Sequence, residues 1–178
     1  MTDPCHPINL SDACAEDIPA IVTLVQSTYR GDASRRGWTT EADLLDGQRI
    51  DASGVAAELA QPHSRIRLAW RDGELVACAH VVEQDGAGHF GMFSVRADLQ
   101  GAGIGKMLLA DAERIVQTEW RLPAIRMSVI DVREELIAFY LRRGYRRTGI
   151  HKPFPYGDAR FGLPRRGDLR FEILEKSL

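Results

Sequence analysis

Several things are scarce in this chain, and each shortage removes a class of protein. There are three cysteines, Cys5, Cys14 and Cys78. The number is odd and none of the spacings suits zinc, so neither a disulfide scaffold nor a metal centre is expected, and a reduced, cytoplasmic setting is. No apolar run approaches the roughly 18 residues that would cross a bilayer. Met1-Thr2-Asp3-Pro4 is neither basic nor followed by an apolar stretch, so no leader is expected. Excess charge is also lacking: the net charge is −2 at pH 7, which gives no field to draw nucleic acid or an anionic membrane. Repeats, linkers and low-complexity tracts are absent. A single domain over residues 1–178 is expected, long enough for a complete core.

What is present is concentrated in residues 93–113. An apolar strand ending Phe93-Ser94-Val95 runs through Arg96-Ala97-Asp98-Leu99 into Gln100-Gly101-Ala102-Gly103-Ile104-Gly105-Lys106 and then an amphipathic helix. A strand–glycine loop–helix joint leaves the first helical N–H groups without backbone partners. With the positive end of the helix dipole, those donors suit a phosphate or pyrophosphate. Two common nucleotide loops fail on spacing. A P-loop has Gly five residues before its Gly-Lys pair and Ser or Thr after it; here Gln100 and Met107 stand at those positions. The dinucleotide fingerprint sets its third glycine three residues after the second. Gly103 and Gly105 are closer than that, and no βαβ unit surrounds them.

Around the joint, hydrophobic spacing predicts short elements. Residues 1–6 read as loose and 7–10 as a strand. Residues 12–29 read as a helix, with Ile18, Ile21, Val22, Leu24, Val25 and Tyr29 at helical spacing. Residues 30–37 form a polar loop, Thr39-Thr40-Glu41 opens a second helix through Leu45, and 51–59 form a third. Then the pattern alternates. Strands at 65–70, 75–82 and 89–95, joined by turns at Asp72-Gly73 and 84–88, make an antiparallel meander. The helix after the glycine loop ends near Trp120, and Pro123 introduces a strand at 124–130. Asp131 caps a further helix with Glu134 and Glu135 in its first turn and Arg142, Arg143 and Gly144 at its end. Strands at 145–150 and 169–174 close the sheet, separated by a loop over 151–168 of a length that often carries function. The fold class is α/β (α+β): a mixed, largely antiparallel sheet of ~6–7 strands flanked by helices.

Two stretches carry a resemblance. Gln100-x-x-Gly103-x-Gly105 after Val95 resembles the coenzyme A pyrophosphate loop, [QR]-x-x-G-x-[GA], of the GNAT superfamily of acyl-CoA N-acyltransferases. Leu136-Ile137-Ala138-Phe139-Tyr140-Leu141-Arg142-Arg143-Gly144-Tyr145 resembles that family's second motif, a helix carrying a Tyr, then Gly-Phe or Gly-Tyr opening a strand. The likeness spans residues 64–150. It departs at Ala97, where the family often has Pro, and at Arg133, where it often has Asn. The resemblance implies a single GNAT-like domain that transfers an acetyl group directly from acetyl-CoA to a primary amine of a small molecule or protein. A longer acyl-CoA donor, or a silent acetyl-CoA-binding sensor, are the alternatives. Homodimers are common in the family, though nothing in the sequence points to one.

The same resemblance assigns roles. Phe93, Ser94 and Val95 pair through their main chain with the pantetheine arm. Gln100, Gly101, Ala102, Gly103, Ile104, Gly105 and Lys106 form the pyrophosphate cradle, Arg133 meets a CoA phosphate, and Tyr140 protonates the departing thiol. Tyr140 equally fits a core aromatic, and Lys106 a solvated first-turn cation. An alkyl amine costs about 4–5 kcal/mol to deprotonate at pH 7, so a general base is required. The family often has Glu on the strand before the loop. That strand here offers His89, whose ordinary pKa suits a base; His80, Glu83, Glu41 and Asp131 are further candidates. Trp38, Glu41 and Tyr156, with Phe154, are expected to line the acceptor site, Glu41 drawing a cationic amine. Arg35, Arg36, Arg160, Arg165 and Arg166 would instead favour an acidic group.

Overall fold

The computed structural model describes residues 7–178, so the segment 1–6, with Cys5, lies outside the described residues. In chain order the elements are β1 (Asn9–Asp12), α1 (Ile18–Tyr29), α2 (Gly31–Ser34), β2 (Leu45–Asp46), α3 (Ala52–Ala60), β3 (Ser64–Arg71), β4 (Glu74–Gln84), β5 (Ala87–Val95), α4 (Ile104–Arg114), β6 (Ala124–Ile130), α5 (Glu134–Leu141), β7 (Arg146–Pro153), β8 (Leu163–Pro164) and β9 (Arg170–Ser177). Seven strands form one sheet in the order β1-β3-β4-β5-β6-β9-β7. Among the described residues only β5 and β6 run parallel; the other pairs are antiparallel. The expected mixed, largely antiparallel sheet is the one found.

The meander forms because its turns permit it. Asp72 and Gly73, and again Asp85 and Gly86, all hold positive φ, as the tightest hairpin turns require. Helices cover both faces. Ile104, Leu108, Leu109 and Ala112 of α4 pack with Val76, Phe90 and Ile125. Ile21, Leu24 and Val25 of α1 and Val55 of α3 pack with Ile66, Leu68, Cys78 and Met92. Each buried Val, Leu or Ile side chain contributes roughly 1.5–3 kcal/mol, which anchors α4 on the sheet.

Two features of β5 shape the site. Its pairing with β6 is confined to Gly88 opposite Ile125 and His89 opposite Arg126; beyond them the strands part. Between the pairs His80–Gly91 and Cys78–Ser94, β5 carries one residue more than β4, and Met92 sits there with φ +49°. This is a β-bulge, which bends the strand and re-aims its side chains.

Five expectations need correction. The helix expected from Asp12 starts at Ile18, because Asp12 pairs with Arg67 at the end of β1. Part of the expected loop 30–37 is the short helix α2. The helix expected from Thr39 to Leu45 is a single turn, with Leu44 and Leu45 N–H both donating to Glu41 O. The chain then enters β2, which pairs with β8. Asp131 does not cap α5. Its carboxylate bonds Arg170, and Arg133 occupies the cap position. The loop expected over 151–168 is shortened by β7, which runs to Pro153, and is tied down by β8.

Candidate active site

The glycine loop does what its sequence demands. Gly101 and Gly103 have φ of +87° and +85°, conformations costly for any residue with a Cβ. Open space lies where their side chains would be. Gly105 is needed for a different reason: a Cβ there would stand 2.9 Å from Phe93 Cζ. The first bond of α4 runs from Met107 N–H to Gly103 O at 3.0 Å. The N–H groups of Ile104, Gly105 and Lys106 therefore donate to no protein acceptor among the described residues. They point outward at the positive end of a helix whose other face is anchored in the core. Lys106 lines the same cleft and forms no ion pair among the described residues.

This cleft has a volume of about 280 Å³. Phe93 and Val95 of β5, Gly101, Gly103, Gly105, Phe139 and Arg143 contribute to its walls. Gln100 braces the loop: its Oε1 accepts from Trp38 N–H at 2.9 Å, and its Nε2 donates to Val95 O at 3.1 Å. Trp38, expected at the acceptor site, instead lines this cleft, its ring 5.7 Å from that of Phe139. Ser94 is fully buried with its Oγ on Met92 O, Ile104 is in the core, and Ala102 is exposed. Those three can offer a ligand main chain only.

A second cavity of about 450 Å³ opens on the other side, where β5 and β6 diverge. Tyr29, Phe93, Arg133, Leu136 and Tyr140 line both spaces. Tyr140 is buried, packed edge-on to Phe139 and Tyr145, yet its hydroxyl has no hydrogen bond among the described residues. Burial raises its pKa, with Arg133 and Arg143 opposing, so the phenol keeps its proton. His89 lines the second cavity at the point of divergence, and its Nε2 is buried without a partner. Burial, then Arg126 and Lys152, lower its pKa, so it is a neutral imidazole at pH 7.

Other candidates have partners already, His80 and Glu41 within the second cavity itself. Burial lowers the pKa of His80 to about 4, and its Nε2 lies 2.8 Å from Ser64 Oγ. Glu83 bonds His63, and Asp131 bonds Arg170. Glu41 does reach the second cavity, but its two oxygens are each 2.7 Å from a guanidinium, of Arg30 and of Arg133. Burial pushes its carboxyl up, and Arg133, Arg49 and Arg30 together pull it below the usual range. Arg133 bonds Glu41 and Thr39 while also lining the cleft at the glycine loop. Tyr156 lines neither space. Its hydroxyl donates to Arg166 O at 2.9 Å and accepts from Leu169 N–H at 2.8 Å, which staples the loop before β9. Arg35, Arg160, Arg165 and Arg166 are neutralised by Asp43, Asp158, Asp46 and Asp168.

Three lining residues escape a reading of the sequence. Tyr29 reads as one more apolar helix position, yet its hydroxyl donates to Phe93 O at 2.8 Å. Arg143 reads as a helix-end charge but lies 3.5 Å from the Phe139 ring centroid in the first cleft. Arg49 lies between predicted helices with no motif around it.

Fold and site together give a splayed sheet with a helix start and its cleft on one side, a second cavity on the other, and Tyr29, Phe93 and Tyr140 shared between them. Residues 20–145 match the Acetyltransferase (GNAT) family, and the chain belongs to that family. Solved structures of this fold include the ribosomal-protein-S18-alanine N-acetyltransferase from Escherichia coli, with TM-score 0.71 and 14% identity over 96% of this chain and 94% of that one. A GNAT family acetyltransferase from Elizabethkingia anophelis with acetyl-CoA bound gives TM-score 0.67 and 18% identity over 96% and 98%. The PaiA N-acetyltransferase from Thermoplasma acidophilum in complex with coenzyme A gives 0.66 and 13% over 97% and 99%. No curated protein matches the chain significantly. Among the described residues, no helix is long and apolar enough to cross a membrane.

Proposed function

We propose that this chain is an acetyl-CoA-dependent N-acetyltransferase that acetylates a primary amine by direct transfer. The observation that carries the reading is Tyr140, which lines both cavities and whose hydroxyl has no hydrogen bond among the described residues. The first cleft fits a diphosphate-bearing, extended donor. The outward N–H groups of residues 104–106 and the Lys106 ammonium would hold the diphosphate. The β5 edge past His89, left unpaired by β6, would take the pantetheine chain like an added strand. Acetyl-CoA, when bound, supplies the activated acetyl group.

The remaining work falls to side chains of this protein. The His89 imidazole takes a proton from the acceptor ammonium through water, the freed amine attacks the thioester carbonyl, and as the C–S bond breaks Tyr140 Oη gives a proton to sulfur and recovers one from the nitrogen. Burial keeps each in the protonation state its role needs: imidazole neutral, phenol neutral. The test is release of free thiol from acetyl-CoA in the presence of a panel of primary amines, after binding has been demonstrated by calorimetry. Amine-dependent thiol release supports the reading. Tight binding with no release for any amine would make the protein an acetyl-CoA-binding module instead.

A further inference from the structure

The acceptor cavity has an electrostatic character that Glu41 alone does not suggest. Three guanidinium groups, of Arg30, Arg49 and Arg133, line it against two carboxylates, Glu41 and Glu58. Arg30 and Arg133 consume Glu41. Glu58 is held by the Gln61 amide at 2.7 Å. Arg49 acts on Glu41 and Glu58 only through its field: its guanidinium makes no hydrogen bond or ion pair among the described residues, so its N–H donors are unused. Its position is nevertheless fixed. Arg49 N–H donates to Gln26 Oε1 at 2.9 Å, and Gln26 Nε2 donates to Gly47 O at 3.2 Å, so α1 holds the segment 47–49. The guanidinium lies 5.0 Å from the Tyr29 ring centroid, a contact that positions the cation without using its N–H donors. Tyr29 is itself tied by its hydroxyl to Phe93 O, on the strand that borders both cavities.

We infer that the acceptor is an amine that also bears a carboxylate, as a free amino acid does, and that Arg49 recognises that carboxylate. The inference rests on the N-acetyltransferase reading above and narrows its substrate. A diamine would bring a second positive charge into a lining that already sets three guanidinium groups against two carboxylates. A neutral amine would leave Arg49 unpaired. A carboxylate makes the planar, two-point, charge-assisted contact that a guanidinium is shaped for.

Thiol release is measured for matched acceptors, amino acids against their primary amides and a diamine, with the wild type, Arg49→Gln and Arg49→Lys. The acids are expected to exceed their amides by about ten- to a hundredfold in kcat/KM, mainly through KM. The preference should fall to near parity in Arg49→Gln and be partly kept in Arg49→Lys. Equal use of acid and amide by the wild type, faster use of the diamine, or an unchanged preference in Arg49→Gln would overturn the inference. A second measurement does not depend on turnover: calorimetric binding of N-acetyl amino acids and of their amides in the presence of CoA. Selective binding of the acids, lost in Arg49→Gln, with no thiol release from any amine, would uphold the anion site and sink the N-acetyltransferase reading. No selectivity in binding would sink the inference whether or not amines turn over. Should Arg49→Gln fail to fold, Arg49→Lys and the wild-type comparison of acid with amide decide it.

Discussion

In the proposed reaction Tyr140 gives a proton and His89 takes one, and both line the second cavity. A phenol that is to donate must stay protonated, and an imidazole that is to accept must stay neutral; burial favours both neutral forms. Tyr140→Phe removes the donor while keeping the ring contacts with Phe139 and Tyr145. The turnover rate should fall by about a hundredfold with little change in CoA affinity, read by steady-state kinetics beside calorimetry. For His89 the sign is set by its lowered pKa. The protonated form, which cannot act as a base, dominates only below that value, so kcat should rise with pH along an acid limb whose midpoint is under 6.5. His89→Gln should lose that limb. A pH–rate profile that keeps it would transfer the base role to another group.

At the level of elements, the joint between β5 and α4 depends on three glycines for two different reasons. At Gly103 the requirement is conformational, φ +85°. Alanine there costs about 1–2 kcal/mol, and the helix start should relax away from the geometry that aims its N–H groups. CoA affinity should then fall about tenfold, measured by calorimetry. At Gly105 the requirement is proximity to Phe93, so Gly105→Ala displaces an aromatic ring that borders both cavities. That variant should impair turnover as well as binding, whereas Gly103→Ala should affect binding alone. Steady-state kinetics at saturating acetyl-CoA separate the two.

Across the whole molecule, the Arg30–Glu41–Arg133 cluster ties the end of α1, the 39–44 turn and the start of α5 into one unit. The side chains of Arg30, Glu41 and Arg133 are only 4%, 8% and 9% exposed. Glu41→Gln leaves two buried cations without their counter-charge, a loss of about 3–5 kcal/mol, checked by urea unfolding at pH 7. Because the folded carboxyl titrates lower than the unfolded one, its contribution is complete above the ordinary carboxylate pKa and is lost as pH falls through the depressed folded value. The stability gap between wild type and Glu41→Gln should therefore narrow in acid. A gap that stays constant from pH 7 to pH 3 would remove Glu41 from this role.

Local chemistry settled much of this protein in advance. Asp72-Gly73 and Asp85-Gly86 dictated the hairpins, and Gly101, Gly103 and Gly105 dictated the loop, because positive φ and close approach are demands that single residue types answer. The alternation of β3 to β5 and the apolar stripe of α4 placed those elements to within a few residues. What the sequence could not reveal is which charges meet. Glu41 read as a free acid and Asp131 as a helix cap, yet partners 92 and 39 residues away claim them. Trp38 and Tyr156 read as substrate walls; Trp38 lines the cleft at the glycine loop, and Tyr156 staples the loop before β9. Arg49 carried no local signal, since its lack of a hydrogen-bonded carboxylate shows only once Arg30 and Arg133 are seen on Glu41. Periodicity and turn chemistry act between near neighbours, whereas the partition of charge among residues far apart in the chain is decided when the sheet closes and burial makes every unpaired group costly.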